Sequence, residues 1–107
     1  TSEEEESNLK KEELSIMVEN GAGVAGLAGK TRDFLEDLGY SVQDIGDADI
    51  VGRQNTLLKF KKGAVEYKDI LVADMEKNYL DIVVQEDLED DKDYDLLIIV
   101  GTEVDGV

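Results

Sequence analysis

The stretch VENGAGVAGLAGKTRDFLEDLGYSV, residues 18–42, joins an apolar run to a charged amphipathic segment through a glycine-rich loop. Gly21, Gly23 and Gly26 have the spacing G-x-G-x-x-G, which is typical of the turn that opens the helix of a dinucleotide-binding β-α-β unit. Apolar residues then recur at helical spacing over 24–38. The stretch therefore predicts a strand, a tight glycine turn, a helix and a second strand.

The remainder of the chain predicts a further alternation of strands and helices. Helices are predicted at 24–38 and 64–79, and strands at 14–19, 40–45, 55–61, 80–85 and 95–101. The order β-α-β-β-α-β-β favours an α/β two-layer sandwich, in which a mixed sheet carries both helices on one face. Among such folds, a ferredoxin-like split β-α-β arrangement is the first choice.

The sequences of two predicted strands indicate where these strands lie in the sheet. Lys59 and Lys61 interrupt the third strand, which predicts a position near an edge. The last strand, 95–101, is apolar on both faces and is predicted to lie centrally, under the helices.

The charge and composition limit the possible partners and chemistry. The 107 residues, enough for one domain, include 27 acidic and 11 basic residues and carry a net charge of −16. Such a surface repels nucleic acid and anionic lipid. The absence of Cys and His removes thiol and imidazole catalysis, disulfides and the usual zinc sites. We therefore expect no cofactor, no metal and no nucleic-acid partner.

The beginning of the chain differs in composition from the rest. Residues 1–13 are charged and have no apolar face, which predicts an acidic flexible linker or tail before a single domain at 14–107. No apolar run has the length of a membrane span, and no signal peptide is visible. Because the chain begins at Thr1 rather than Met, any membrane contact is expected to come from a segment missing from it.

The glycine loop allows two interpretations. In a nucleotide site, Asp44 or Asp47 would lie at about the right distance to bind a ribose. However, no helix separates the second predicted strand from the third, and Glu19 at the end of the first strand would oppose a phosphate. The other interpretation is structural, since glycines let the chain turn sharply and let the helix lie close to the sheet. A cytoplasmic nucleotide-binding module is thus the alternative function.

Acidic residues form two further patterns. The loop DLEDDKDYD, residues 87–95, contains the D-x-D-x-D spacing of a calcium loop, but Leu96 and Thr102 occupy the positions of the required Gly and Glu. A solvated loop is therefore favoured over weak divalent-cation binding. Asp47 and Asp49 have the spacing of a general acid and base, but acids are so frequent here that the pair predicts no catalytic residue.

The stretch from Asn20 to Val42 resembles the opening of the LytR C-terminal domain family, which has a strand, Asn-Gly-x-Gly, a Gly-x-Ala helix start and a Gly-aromatic-x-Val strand. The matching residues are Asn20, Gly21, Gly23, Gly26, Ala28, Leu35, Gly39, Tyr40 and Val42. Thr56 and the closing segment DYDLLIIVGTEV extend the resemblance over about residues 14–105. Glu103 stands where the family often has Asp, which keeps the charge.

The resemblance implies a non-catalytic extracytoplasmic accessory domain. Such domains often follow a LytR-CpsA-Psr catalytic domain, which attaches glycopolymers to the bacterial cell wall, or stand alone behind a membrane anchor. Wall glycopolymer or an envelope protein is the implied partner, although a pure spacer or interaction domain is a further possibility. The candidate binding loop comprises Asn20, Gly21, Gly23 and Gly26, with the 87–95 loop as a second candidate, because loops on a rigid sheet usually carry binding.

Overall fold

Five strands and two α-helices form the domain in the computed structural model, which describes residues 10–102. The strands are β1 (Ser15–Asn20), β2 (Ser41–Asp47), β3 (Thr56–Phe60), β4 (Ile82–Gln85) and β5 (Leu96–Val100), and the helices are α1 (Leu27–Asp37) and α2 (Lys68–Met75). A 3₁₀ segment, Lys62–Tyr67, leads directly into α2. The helix predicted at 64–79 is therefore a 3₁₀ segment followed by a shorter α-helix.

The strands form one mixed sheet in the order β2-β1-β5-β3-β4. β1 is parallel to both β2 and β5, β5 is antiparallel to β3, and β3 is parallel to β4. The central position of β5 confirms the prediction from its apolar sequence, because a strand with two apolar faces loses most contact with water in the middle of a sheet.

The ferredoxin-like connection, in contrast, is not formed. A split β-α-β unit leaves room for another strand between its parallel strands, but β1 pairs directly with β2, and β3 pairs directly with β4. β5 joins these two unsplit units instead. Because the units run in opposite directions, crossovers of the same hand place both helices on the same face of the sheet, which gives the predicted two-layer arrangement by a different route.

Contacts between the helical segments confirm that both lie on one face. Leu35 of α1 and Leu71 of α2 are fully buried in one hydrophobic cluster with alternate residues of the strands. The Tyr79 hydroxyl, after α2, donates a hydrogen bond of 2.7 Å to the Thr31 hydroxyl of α1. The Tyr79 ring also meets the Phe34 ring edge-on, with centroids 5.3 Å apart. The core therefore lies between this helical layer and the sheet.

The other face of the sheet carries no helix. Met17, Leu97 and Ile99 lie on it and are only partly buried, whereas their neighbours in the strands are fully buried beneath the helices. Lys59 also lies on this face, in register with Leu97. β3 is paired on both sides and lies one strand in from the β4 edge, which agrees with the predicted position near an edge, and the open face lets its lysine stay in contact with water.

The residues just before β1 are packed against the domain. Lys11–Glu13 form a 3₁₀ turn, and the Lys11 ammonium lies 3.0 Å from the Asp74 carboxylate and 5.0 Å from the centre of the Tyr40 ring. The Tyr67 hydroxyl donates to the carbonyl of Lys10 at 3.0 Å. Most of the predicted linker, residues 1–9, lies outside the described residues. No helix within residues 10–102 combines the length and the hydropathy needed to cross a membrane.

Candidate functional site

The Asn20 side chain organises the glycine loop at the carboxyl end of β1. Its carboxamide oxygen accepts hydrogen bonds from the backbone amides of Ala22 and Gly23, both at 3.1 Å, and its nitrogen donates to the carbonyl of Val24. Asn20 is itself buried. Two of the amides that a phosphate in this turn would need, those of Ala22 and Gly23, are therefore already bonded within the chain.

Each of the three glycines of the loop lies where a residue with a Cβ would either clash with a neighbour or be strained in its backbone. A Cβ on Gly21 would lie 2.6 Å from Cγ2 of Ile99 and 3.1 Å from the carbonyl oxygen of Val100. Gly23 and Gly26 have φ angles of +76° and +80°, which residues with a Cβ rarely adopt. The structure thus supports the interpretation that the glycines shape the turn.

Asn20→Ala is expected to destabilise the fold by about 1–3 kcal/mol, because it leaves two amides and one carbonyl of a partly buried turn without their partner. Asn20→Asp should cost less, since a carboxylate can still accept from both amides. Urea denaturation of the two variants measures this difference. Equal stability of Asn20→Ala and the parent chain would show that the side chain does not hold the loop.

A crevice of about 320 Å³ lies where a dinucleotide fold would bind its ligand, between the glycine turn, α1 and the end of β2. Its walls include Gly29 and the acidic Asp47. Asp44 is exposed, and its carboxylate accepts the backbone amide of Ile45 at 2.9 Å. The expectation that Glu19 opposes a phosphate here is wrong, because residues alternate between faces along β1 and place Glu19 on the helix-free face.

A larger cleft, of about 740 Å³, opens on the helix-free face at the carboxyl ends of β1 and β5. The segment 48–55, which links β2 to β3, forms one wall, and Glu19 and Ile99 lie at the base of the cleft with Asp81 beside them. We call this the 48–55 cleft. Its lining combines the exposed Ile50 and Val51 with acidic side chains and the half-buried Arg53.

Backbone hydrogen bonds hold the wall of the 48–55 cleft in place. The amide of Ala48 donates to the carbonyl of Asn20 at 3.1 Å, and the amide of Arg53 donates to the carbonyl of Gly21 at 2.8 Å. The carbonyl of Arg53 accepts from Thr102 at 2.9 Å. Between these anchors, the side chain of Ile50 is 83% exposed and that of Val51 is 57% exposed. Exposed aliphatic side chains on a fixed loop are typical of a contact surface.

The charges in the cleft are closely spaced and partly removed from water. Burial, followed by the nearby charge of Asp49, raises the pKa of Glu19 above its ordinary value, while Lys92 acts in the opposite direction. The Nη1 atom of Arg53 is buried and has no hydrogen-bond partner among the described residues. Glu19 and Arg53 both line the cleft, and a carboxyl in a cleft whose pKa is raised by burial and a neighbouring charge is a candidate for a functional site.

The acidic 87–95 loop folds back against the sheet. Asp95 exchanges hydrogen bonds with Ser15, through both its backbone and its carboxylate, and Lys59 lies 3.9 Å from Asp87. Within residues 10–102, no group of three or more acidic side chains is placed to hold a metal ion. Asp47 and Asp49 line different cavities, so the structure does not bring together the acid and base that their spacing suggested.

Residues 46–54 have neither helical nor strand periodicity and predict only a loop, so the 48–55 cleft was not predicted from the sequence. The available signal was the Ile50–Val51 pair, two aliphatic residues in a segment that is otherwise polar and glycine-containing. Arg53, one of only two arginines in the chain, was the second signal. Neither shows by itself that the segment lies beside Glu19, because that proximity depends on the pairing of β1 with β5.

Comparisons with known proteins agree with the fold. Residues 13–103 match the family model described as LytR cell envelope-related transcriptional attenuator, which confirms the resemblance seen in the glycine loop. The chain is similar to the crystal structure of the soluble domain of a conserved hypothetical secreted protein, an Rv2700 ortholog from Mycobacterium marinum, with a TM-score of 0.66 and 20% sequence identity. The similarity covers 89% of this chain and 65% of that chain. None of the curated proteins matches the chain.

Proposed function

Because the chain belongs to the cell-envelope-related LytR C-terminal domain family, we propose that it is a non-catalytic extracytoplasmic accessory domain of a bacterial envelope protein. In this proposal it is anchored through a segment that precedes it, and it contacts wall glycopolymer or an envelope protein through the 48–55 cleft. The secreted origin of the structurally similar protein supports the location outside the cytoplasmic membrane.

The observation that carries the proposed contact is the pair of aliphatic side chains, Ile50 and Val51, exposed in the wall of the 48–55 cleft. With a net charge of −16, the chain is a poor binder of the polyanions of a cell wall. Contact is therefore expected through uncharged sugar or peptide groups, which an aliphatic surface and a few polar groups can bind, or through bridging divalent cations.

Several features support a non-catalytic role. The chain has no Cys or His to serve as nucleophile or base. Its close acidic pair, Glu19 and Asp49, lies in a cleft that is open to solvent. The alternative, nucleotide binding at the glycine turn, is less favoured because Asn20 already accepts from the amides of Ala22 and Gly23 and because Asp47 adds negative charge to the crevice.

Titration of the isotope-labelled chain with soluble disaccharide-peptide wall fragments at low salt tests the proposal. We expect amide shifts in residues 48–55 and Glu19, and the replacement of both Ile50 and Val51 by Ser is expected to weaken binding about tenfold, equivalent to about 1.4 kcal/mol. The matched control is Leu80→Ser, since Leu80 is an aliphatic residue of similar exposure outside the cleft. Repetition with calcium and with chelator separates direct contact from cation bridging.

Three outcomes would contradict the proposal. Equal loss of binding in Leu80→Ser and in the double variant would place the contact elsewhere. Binding in chelator that weakens steeply as salt rises would indicate a basic site. Hydrolysis or transfer of glycopolymer by the isolated chain would make it an enzyme. If NAD or ATP instead causes saturable shifts confined to Asn20–Gly26, the nucleotide-binding alternative is the correct function.

A further inference from the structure

The two edges of the sheet are protected to different degrees. Edge strands expose backbone N–H and C=O groups, and proteins usually blunt them with charges, bulges or internal hydrogen bonds. β2 has all three: it contains Asp44 and Asp47, its pairing with β1 shifts register at Ile16–Met17, and one of its amides is bonded to the Asp44 carboxylate. This edge is therefore a poor template for a further strand.

β4, at the other edge, is four residues long but carries no charge and no bulge. Its sequence, Ile82-Val83-Val84-Gln85, is uncharged and rich in β-branched residues, and it contains neither Pro nor Gly. Its residues pair with β3 in unbroken register on one side only. In the part of the chain that the structure describes, no side chain bonds to its backbone. Half of its backbone groups therefore point outwards, in the geometry that another strand would use.

A groove of about 440 Å³ lies beside this bare edge, between β4 and α2. Val72 and Ala73 of α2 and Val84 of β4 provide its aliphatic lining. At one end, the Lys68 ammonium and the Glu86 carboxylate, 2.8 Å apart, form a salt bridge between the helix and the chain after the strand. A strand added to β4 would direct alternate side chains into this groove.

The charge of the residues around the groove indicates which kind of polypeptide segment can bind there. Its charged lining residues are Lys68, Asp69, Glu76 and Glu86, so three acids surround one lysine, and that lysine is already paired. A second copy of this chain would bring another 16 negative charges and is disfavoured. An extended segment with Lys or Arg next to aliphatic residues complements both the lining and the rim.

We propose that the β4 edge and the α2–β4 groove bind an extended basic segment of a partner protein, which adds to the sheet as a sixth strand. The residues of that segment that face α2 are alternately aliphatic and basic: the aliphatic ones enter the groove beside Val84, and the basic ones pair with Asp69 and Glu76. This surface uses residues distinct from those of the 48–55 cleft, so the proposal does not depend on the function assigned to the cleft.

The probe, called the Lys-Val peptide, is Thr-Val-Thr-Lys-Thr-Val-Thr-Lys blocked at both ends, in which Val and Lys alternate on the strand face turned towards α2. Added to the labelled chain, it is expected to shift the amides of Ile82–Gln85 and of α2 and to slow hydrogen exchange in β4. The same peptide with Glu in place of both Lys residues should cause no shift at the same concentration. A Lys-Val peptide with N-methyl groups at alternate residues should bind at least tenfold more weakly, because it cannot donate to the strand.

A substitution in the groove provides a second test of the proposal. Ala73→Lys adds bulk and a positive charge at an exposed helix position where lysine is tolerated, and it should weaken binding of the Lys-Val peptide at least tenfold. Ala25→Lys makes the same substitution at an exposed position outside the groove and should have little effect. Equal binding of the N-methylated peptide, unchanged binding by Ala73→Lys, no shift at millimolar peptide, or self-association of the chain through β4 would each overturn the proposal.

Discussion

Gly101→Ala is expected to destabilise the protein by about 3 kcal/mol, because the added Cβ has no space at the end of β5. It would overlap the carbonyl oxygens of Gln54 and Asn55, which belong to the backbone and cannot rotate away. The amide of Gly101 also donates to the Thr56 hydroxyl at 3.1 Å, so any displacement of the chain here loses a buried hydrogen bond. Urea or thermal unfolding measures the effect.

Gly63→Ala is the matched control for this substitution. A Cβ on Gly63 would meet no atom within 4 Å, and its φ angle is not in the positive region. The control should be neutral or stabilising by up to about 1 kcal/mol, since alanine reduces the conformational freedom of the unfolded chain. If both variants unfold like the parent, the close approach of residues 54–55 to the end of β5 is not a constraint on the fold, and the fixed wall of the 48–55 cleft loses its support.

Asp74→Ala is expected to destabilise the protein by a similar amount, about 3 kcal/mol. Asp74 is 7% exposed. Its carboxylate accepts from the Tyr40 hydroxyl at 2.6 Å and lies 3.0 Å from the Lys11 ammonium, which ties α2 to β2 and to the N-terminal 3₁₀ turn. The exposed Asp33 provides the control, since Asp33→Ala removes a carboxylate whose ion pair within residues 10–102 is a surface contact with the neighbouring Arg32.

The same carboxylate predicts how stability depends on pH. Burial alone would raise the pKa of Asp74, but the hydrogen bonds from Tyr40 and Lys11 outweigh it and hold the pKa below its ordinary value of 3.8. Because the folded-state pKa is depressed, this stabilisation is fully present above the unfolded value and is lost as the pH falls through the folded value. Unfolding free energies measured from pH 6 down to pH 2 should decline less for Asp74→Asn than for the parent chain.

Local pattern was sufficient to identify the elements of the domain. The glycine spacing and the helical recurrence of apolar residues over 24–38 predicted the β1-α1-β2 unit, and the structure confirms it with boundaries shifted by a few residues. The same pattern predicted the turn of Gly21–Gly26 and led to the family resemblance. Such features can be predicted from the sequence because side-chain periodicity and the φ angles available to glycine depend on only a few consecutive residues.

The candidate site was harder to predict from the sequence than the strands and loops that form it. The cleft depends on Glu19 meeting Asp49 and Arg53, about 30 residues later in the chain, on the helix-free face. Alternation along β1 shows that Glu19 and Asn20 lie on opposite faces, but it does not show which face the helices cover. That choice decided whether Glu19 would oppose a ligand of the glycine turn or line a separate cleft.

Residue pattern along the chain was enough to predict the order of the strands and the two α-helices, the glycine turn, the central place of the apolar last strand and the family. Only the folded chain shows that β5 inserts between two unsplit β-α-β units, that the lysine of β3 lies on an open face, and that segment 48–55 closes over the carboxyl ends of β1 and β5. The physical reason is that strand order follows from the summed free energies of pairings between distant segments, such as Ser15 with Asp95, 80 residues apart. Each pairing competes with others of similar local pattern, and only the complete sheet shows which of them bury the most apolar surface.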